Sequence, residues 1–161
     1  MKSTFATMLF LVPILFGAAW DENTPPTANG IETAITETTE TTESMSDTLV
    51  VKIGTKQYSA TLLDSPTATA FKAMLPLTMN MTELNGNEKY FDLSKNLPTN
   101  ASNPGIINAG DLLLYGPKTL VLFYKTFSTS YSYTKLGKIS DPTGLAAALG
   151  PDRVVVTVEL R

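Results

Sequence analysis

Downstream of Thr48, apolar and polar residues alternate with a period of two in short runs broken by turn-forming residues. The clearest run is "LTMNMTEL" (77–84), where Leu77, Met79 and Met81 share one side and Thr78, Asn80 and Thr82 the other. That is the pattern of a half-buried strand. "TLVVKIGTKQYSATLL" (48–63) reads as two strands joined by a hairpin at Gly54-Thr55. "DLLLYGPKTLVLFYK" (111–125) repeats the arrangement around Gly116-Pro117, and "RVVVTVEL" (153–160) predicts a largely buried final strand. Asn85-Gly86 is a turn signal.

Two segments break the period. In "DSPTATAFKAML" (64–75), Ser65 suits an N-cap and Pro66 the first helical position. Ala70, Phe71, Met74 and Leu75 then fall on one face, and Pro76 ends the helix. In "SDPTGLAAALG" (140–150), Asp141 is the expected N-cap, Pro142 sits in the first turn and Gly150 is the stop. Many short strands with two short helices predict a mainly β protein, a closed or nearly closed barrel.

The first 47 residues follow another rule. Lys2, the apolar run "MLFLVPILF" (8–16) and the small residues Gly17 to Ala19 have the order of an export signal, 1–19, with cleavage expected after Ala19. The apolar run falls short of the about 20 residues of a spanning helix. If it stayed attached, Trp20 would lie at a membrane interface, the one membrane contact the sequence offers. Residues 20–47 carry seven acids, no base and the Thr/Glu run "TAITETTETTES". With almost no large apolar side chains they read as a flexible acidic linker. The expected location is extracytoplasmic, and the domain is 48–161.

Composition removes whole classes of chemistry. The chain of 161 residues has no cysteine and no histidine. Disulfides, thiolate nucleophiles, Cys/His zinc sites and imidazole bases are therefore excluded. No D-x-D-x-D-G run is present, so no calcium loop and no metal is expected. From Thr48 on there are eleven bases against eight acids, too mild an excess for a nucleic-acid surface. "SYTK" (132–135) matches the S-x-x-K pattern of acyl-transfer enzymes. Its flanks read as strand, however, and residues three apart in a strand face opposite sides. The eight acids are spread thinly and read as turn, capping or solvated residues, with Glu88 and Asp92 facing the barrel mouth as the alternative. The domain reads as a monomer with no cofactor.

"AFKAMLPLTMNMTELNGNEKYFDL", "LPTNASNPGIINAGDLLLYGP" and "LVLFYKTFSTSYSYTKLGKI" together resemble the bacterial cyclophilin-like family of small domains. The resemblance spans 48–161 and implies a cyclophilin-like closed barrel of about eight strands with two short helices. Cyclophilins proper are prolyl isomerases whose arginine polarises the prolyl amide beside Phe, Gln, Trp and His residues. This chain departs from that set: its arginines are Arg153 and Arg161, its one tryptophan is Trp20, and histidine is absent. Lysine does not replace the planar guanidinium fork. The resemblance thus implies the barrel without the usual isomerase residues, and a weak isomerase lacking that arginine is the alternative to a binding module.

"FYKTFSTSYSYTKLG" (123–137) holds five aromatic residues and six Ser or Thr residues. Phe127, Tyr131 and Tyr133 are spaced by even numbers and share a face if the chain is extended. One reading is that the rings fill core; the other is a groove with an aromatic wall for a peptide or small molecule. On the second reading Met81, Phe123, Phe127 and Tyr131 lie near the groove, with Asn100 and Asn103 opposite them.

Overall fold

The computed structural model describes residues 45–161, with side chains from 47 onward. The expected export signal and most of the linker lie outside the described residues. Eight antiparallel strands close into a barrel: β1 (Met45–Ile53), β2 (Lys56–Leu63), β3 (Leu77–Leu84), β4 (Glu88–Asp92), β6 (Asp111–Tyr115), β7 (Thr119–Phe123), β9 (Thr134–Ile139) and β10 (Val154–Leu160). Around the barrel their order is β1-β10-β3-β4-β7-β6-β9-β2. Two-residue strands β5 (Ile106–Ile107) and β8 (Phe127–Ser128) pair with each other outside it. The first strand begins three residues before Thr48.

Alternation fills the interior. Leu49, Val51 and Ile53 of β1, Met79 and Met81 of β3, and Val156 and Val158 of β10 are all buried in one core. Barrels of this strand number have an interior just wide enough for side chains. Only a void of about 10 Å³ remains there, and Met81 lines it. A ligand groove must therefore lie on the outside.

Helix α1 (Pro66–Lys72) starts as expected: the Ser65 hydroxyl accepts the Ala68 N–H at 3.1 Å and Pro66 opens the helix. It ends at Lys72, so Met74 and Leu75 fall in the following turn, while Ala68 and Phe71 enter the core. Helix α2 (Leu145–Leu149) is shorter than predicted. Asp141 accepts the Thr143 N–H at 2.9 Å in a turn instead of capping the helix, because Gly144 takes φ 76 and restarts the chain direction. Leu145 and Leu149, one turn apart, are buried in the barrel core.

Strand β7 is buried on both faces. Leu120 and Leu122 point inward, while Val121 and Phe123 point outward into a second cluster with Ile107, Leu113 and Tyr133. The loops before β6 and after β7 supply that cover, and this outer layer sets the candidate site.

Candidate functional site

Five aromatic rings run in a row over the outer face of β6 and β7. Tyr131 meets Tyr115 edge-on at 6.3 Å, and Tyr115 meets Tyr133 at 5.6 Å. Tyr133 meets Phe123 edge-on at 5.6 Å, and Phe123 meets Phe127 at 5.7 Å. These separations and tilts suit the ring quadrupoles. Phe123 is fully buried and forms the floor, whereas Tyr131 is 62% exposed.

The row borders a cup of about 310 Å³. Phe127, Tyr131 and Tyr133 all line it, joined by Tyr90 and Tyr115. The β3–β4 hairpin supplies the other wall through Leu84, Asn85, Asn87 and Glu88. Asn85 and Gly86 both take positive φ, 57 and 67, which is what an Asn-Gly turn requires. That tight turn brings Asn87 and Glu88 beside the rings.

The segment reaching the cup is not extended throughout, the condition under which its rings would share one face. Only Phe127 and Ser128 pair as β8, and Tyr133 makes an isolated bridge with Ser102. Between them the Thr129 hydroxyl accepts the Tyr131 N–H at 3.1 Å in a local turn. The three rings converge on one cup even so.

The other expected residues separate. Met81 lies inside the barrel. Asn103 holds its own loop, its side-chain oxygen accepting the Gly105 N–H at 2.6 Å. Asn100 borders a different hollow with Ser65, Pro98 and Thr134. Its backbone N–H donates to the Thr134 hydroxyl at 3.0 Å. Thus Phe127 and Tyr131 line the cup and Phe123 underlies it, while Asn100, Asn103 and Met81 lie elsewhere.

Glu88 is the residue that sequence reasoning misjudged. It was expected to be a solvated acid, and it is 8% exposed. Asp92, by contrast, is exposed and accepts the Thr119 hydroxyl at 2.6 Å. Burial, reinforced by the nearby Glu83 charge, holds the Glu88 carboxyl above the usual range. Burial and then the Glu88 charge push the Tyr133 phenol up as well. Among the described residues the Glu88 carboxylate has no hydrogen bond or ion pair.

The signal for this was the charged dyad Glu88-Lys89 at the start of a strand covered on both faces. One of two successive side chains must then point each way. Lys89 points inward and is fully buried. Its ammonium lies 2.6 Å from Glu83 Oε2 and donates to the Asp152 carbonyl at 2.6 Å. Glu83 Oε1 also accepts the Tyr124 hydroxyl at 2.8 Å and the Gly86 N–H at 2.9 Å. Desolvation raises the Glu83 carboxyl, but the Lys89 and Tyr124 contacts with the Gly86 N–H outweigh it, so the net shift is downward. Burial and Glu83 push the Tyr124 phenol up to about 12.

Arg153 and Arg161 flank β10, and neither borders the cup. The described residues contain no cluster of three or more side chains suited to a metal ion, and no helix long and apolar enough to cross a membrane.

A comparison with curated proteins finds no match. Among solved structures, the chain is similar to the solution structure of the hypothetical protein AF2241 from Archaeoglobus fulgidus. That similarity has 18% identity and a TM-score of 0.50, and covers 71% of this chain and 95% of the other. At that identity the likeness is one of fold. The model of the Cyclophilin-like family matches residues 51–161, the span that forms the closed eight-stranded barrel and carries the outer aromatic layer. By that match the chain belongs to the cyclophilin-like family.

Proposed function

We propose that this protein is an exported binding module that takes a peptide or small molecule in the aromatic cup, without prolyl isomerase chemistry. The observation that carries this reading is an apolar, ring-lined cavity on the barrel exterior whose outermost ring, Tyr131, is left largely exposed. Ligand sites of this kind combine apolar walls with a few placed polar groups, here Asn87 and Glu88. Export rests on the order of Lys2, the apolar run 8–16 and Gly17 to Ala19.

The isomerase alternative lacks a cationic donor at the cup. Among the described residues that border it there is no Lys or Arg to face a bound prolyl amide. The first test is isomerisation of a short X-Pro peptide by the full-length chain. The uncatalysed reaction takes tens of seconds or longer at 25 °C. The expected result is no acceleration at high protein concentration. Clear acceleration would overturn this reading and make the barrel an isomerase without arginine. In parallel, ring NMR signals of Phe127, Tyr131 and Tyr133 should shift together in a fragment screen.

A further inference from the structure

The cup has an electrostatic sign. Among the described residues, the only ionisable side chain on its wall besides the tyrosines is Glu88, which is buried and has no cation beside it. Lys89, its neighbour, faces the other way and is committed to Glu83 and the Asp152 carbonyl. Asn87 borders the same cup, although its side-chain oxygen is itself fully buried. Buried acceptors left open cost free energy until something donates to them. Tyr90, Tyr115, Tyr131 and Tyr133 border the same cup and offer ring surface beside that point.

Resting on the binding-module reading, we propose that the cup selects a primary alkylammonium ion. Its charge would be met by Glu88, whose carboxylate would also accept an N–H, and its methylenes would lie against the tyrosine rings. A neutral ligand leaves the carboxylate uncompensated. An anion would be repelled by Glu88. A quaternary ammonium has no N–H to donate to the Glu88 carboxylate. The matching chemistry is a lysine side chain on a peptide or a free small amine.

The test uses the full-length chain and paired probes, followed by calorimetry and ring NMR. n-Butylammonium is compared with butan-1-ol, and acetyl-Gly-Lys-Gly-amide with the same peptide carrying norleucine. The cation of each pair is expected to bind at least tenfold more tightly than its neutral counterpart. Glu88→Gln should remove that preference while leaving the weak neutral binding in place. Tighter binding of the lysine peptide than of butylammonium assigns the source to peptides, and equal binding to free amines. If neutral and cationic probes bind alike, or Glu88→Gln leaves the preference intact, the ammonium inference is wrong although the cup still binds ligands. If no probe of either charge perturbs the cup rings, the binding-module reading fails with it.

Discussion

Glu88 and Lys89 are adjacent in sequence and point to opposite faces of β4, and only one of them has a partner of opposite charge. Lys89 reaches Glu83 inside the barrel, while Glu88 faces the aromatic cup alone. The unbalanced half of this pair is the one at the candidate site, where perturbed carboxyl groups concentrate.

Glu88 is expected to weaken the empty protein. A carboxyl raised in the folded state binds its proton more tightly there than in the unfolded chain. Stability is then fully present below the ordinary glutamate range and is lost as pH rises through the folded value. The charged and titratable neighbours are Glu83, whose charge Lys89 offsets, and the cup tyrosines; among the described residues lining the cup there is no base. Glu88→Gln should therefore stabilise the protein above the folded-state value, with the gain vanishing below the ordinary glutamate range. Thermal melts of both proteins across that range measure the difference.

Lys89 should behave in the opposite way. Lys89→Met leaves Glu83 facing the interior without its cation, at a cost of about 3 kcal/mol. Adding Glu83→Leu should recover most of the loss, since a pair replaced by apolar groups removes both desolvation penalties. Urea denaturation of the single and double variants reads the coupling.

Tyr131 and Phe123 separate binding from structure. Tyr131→Ala removes a ring that is mostly exposed, so the melting temperature should hardly change while ligand binding is lost. Phe123→Ala empties a fully buried site and should cost about 3–5 kcal/mol. Equal destabilisation by both substitutions would show that the rings serve only to cover the barrel.

Gly137 is expected to tolerate no side chain. A Cβ there would fall on the Thr61 carbonyl and 3.1 Å from the Leu62 Cα, where β9 crosses close to β2. Both are backbone atoms of a paired strand and have little room to move. Gly137→Ala should cost about 1–3 kcal/mol, measured by denaturant unfolding.

The fold was legible where a single period ran long enough. Leu77, Met79 and Met81 announced an inward face, and Ser65-Pro66 announced a helix start, because alternation and capping are local. Asp141 misled because the same side-chain reach serves a helix cap and a tight turn, and Gly144 decides between them only through its backbone angle. The cup was half legible. Phe127 and Tyr131 stood out by composition, although only Phe127 sits in a strand and Tyr131 arrives through a turn. Asn100 and Asn103 drew attention as polar loop residues, but one borders another hollow and the other closes its own turn. Glu88 was hidden because its burial depends on the outer layer that Ile107 and Tyr133 build from distant parts of the chain.

The two-sided burial of β7 ties solubility to the candidate site. "TLVLF" (119–123) is an uncharged, β-prone segment with no proline, the composition of a chain that stacks on its own copies when uncovered. Its outer residues Val121 and Phe123 are shielded by Phe127 and Tyr133, which also wall the cup. Changes that strip the cup of these rings therefore lay open a self-associating strand. Variants at Tyr133 should be lost to inclusion bodies before they can be tested for ligand, whereas Tyr131, at the open end of the row, can vary without that penalty.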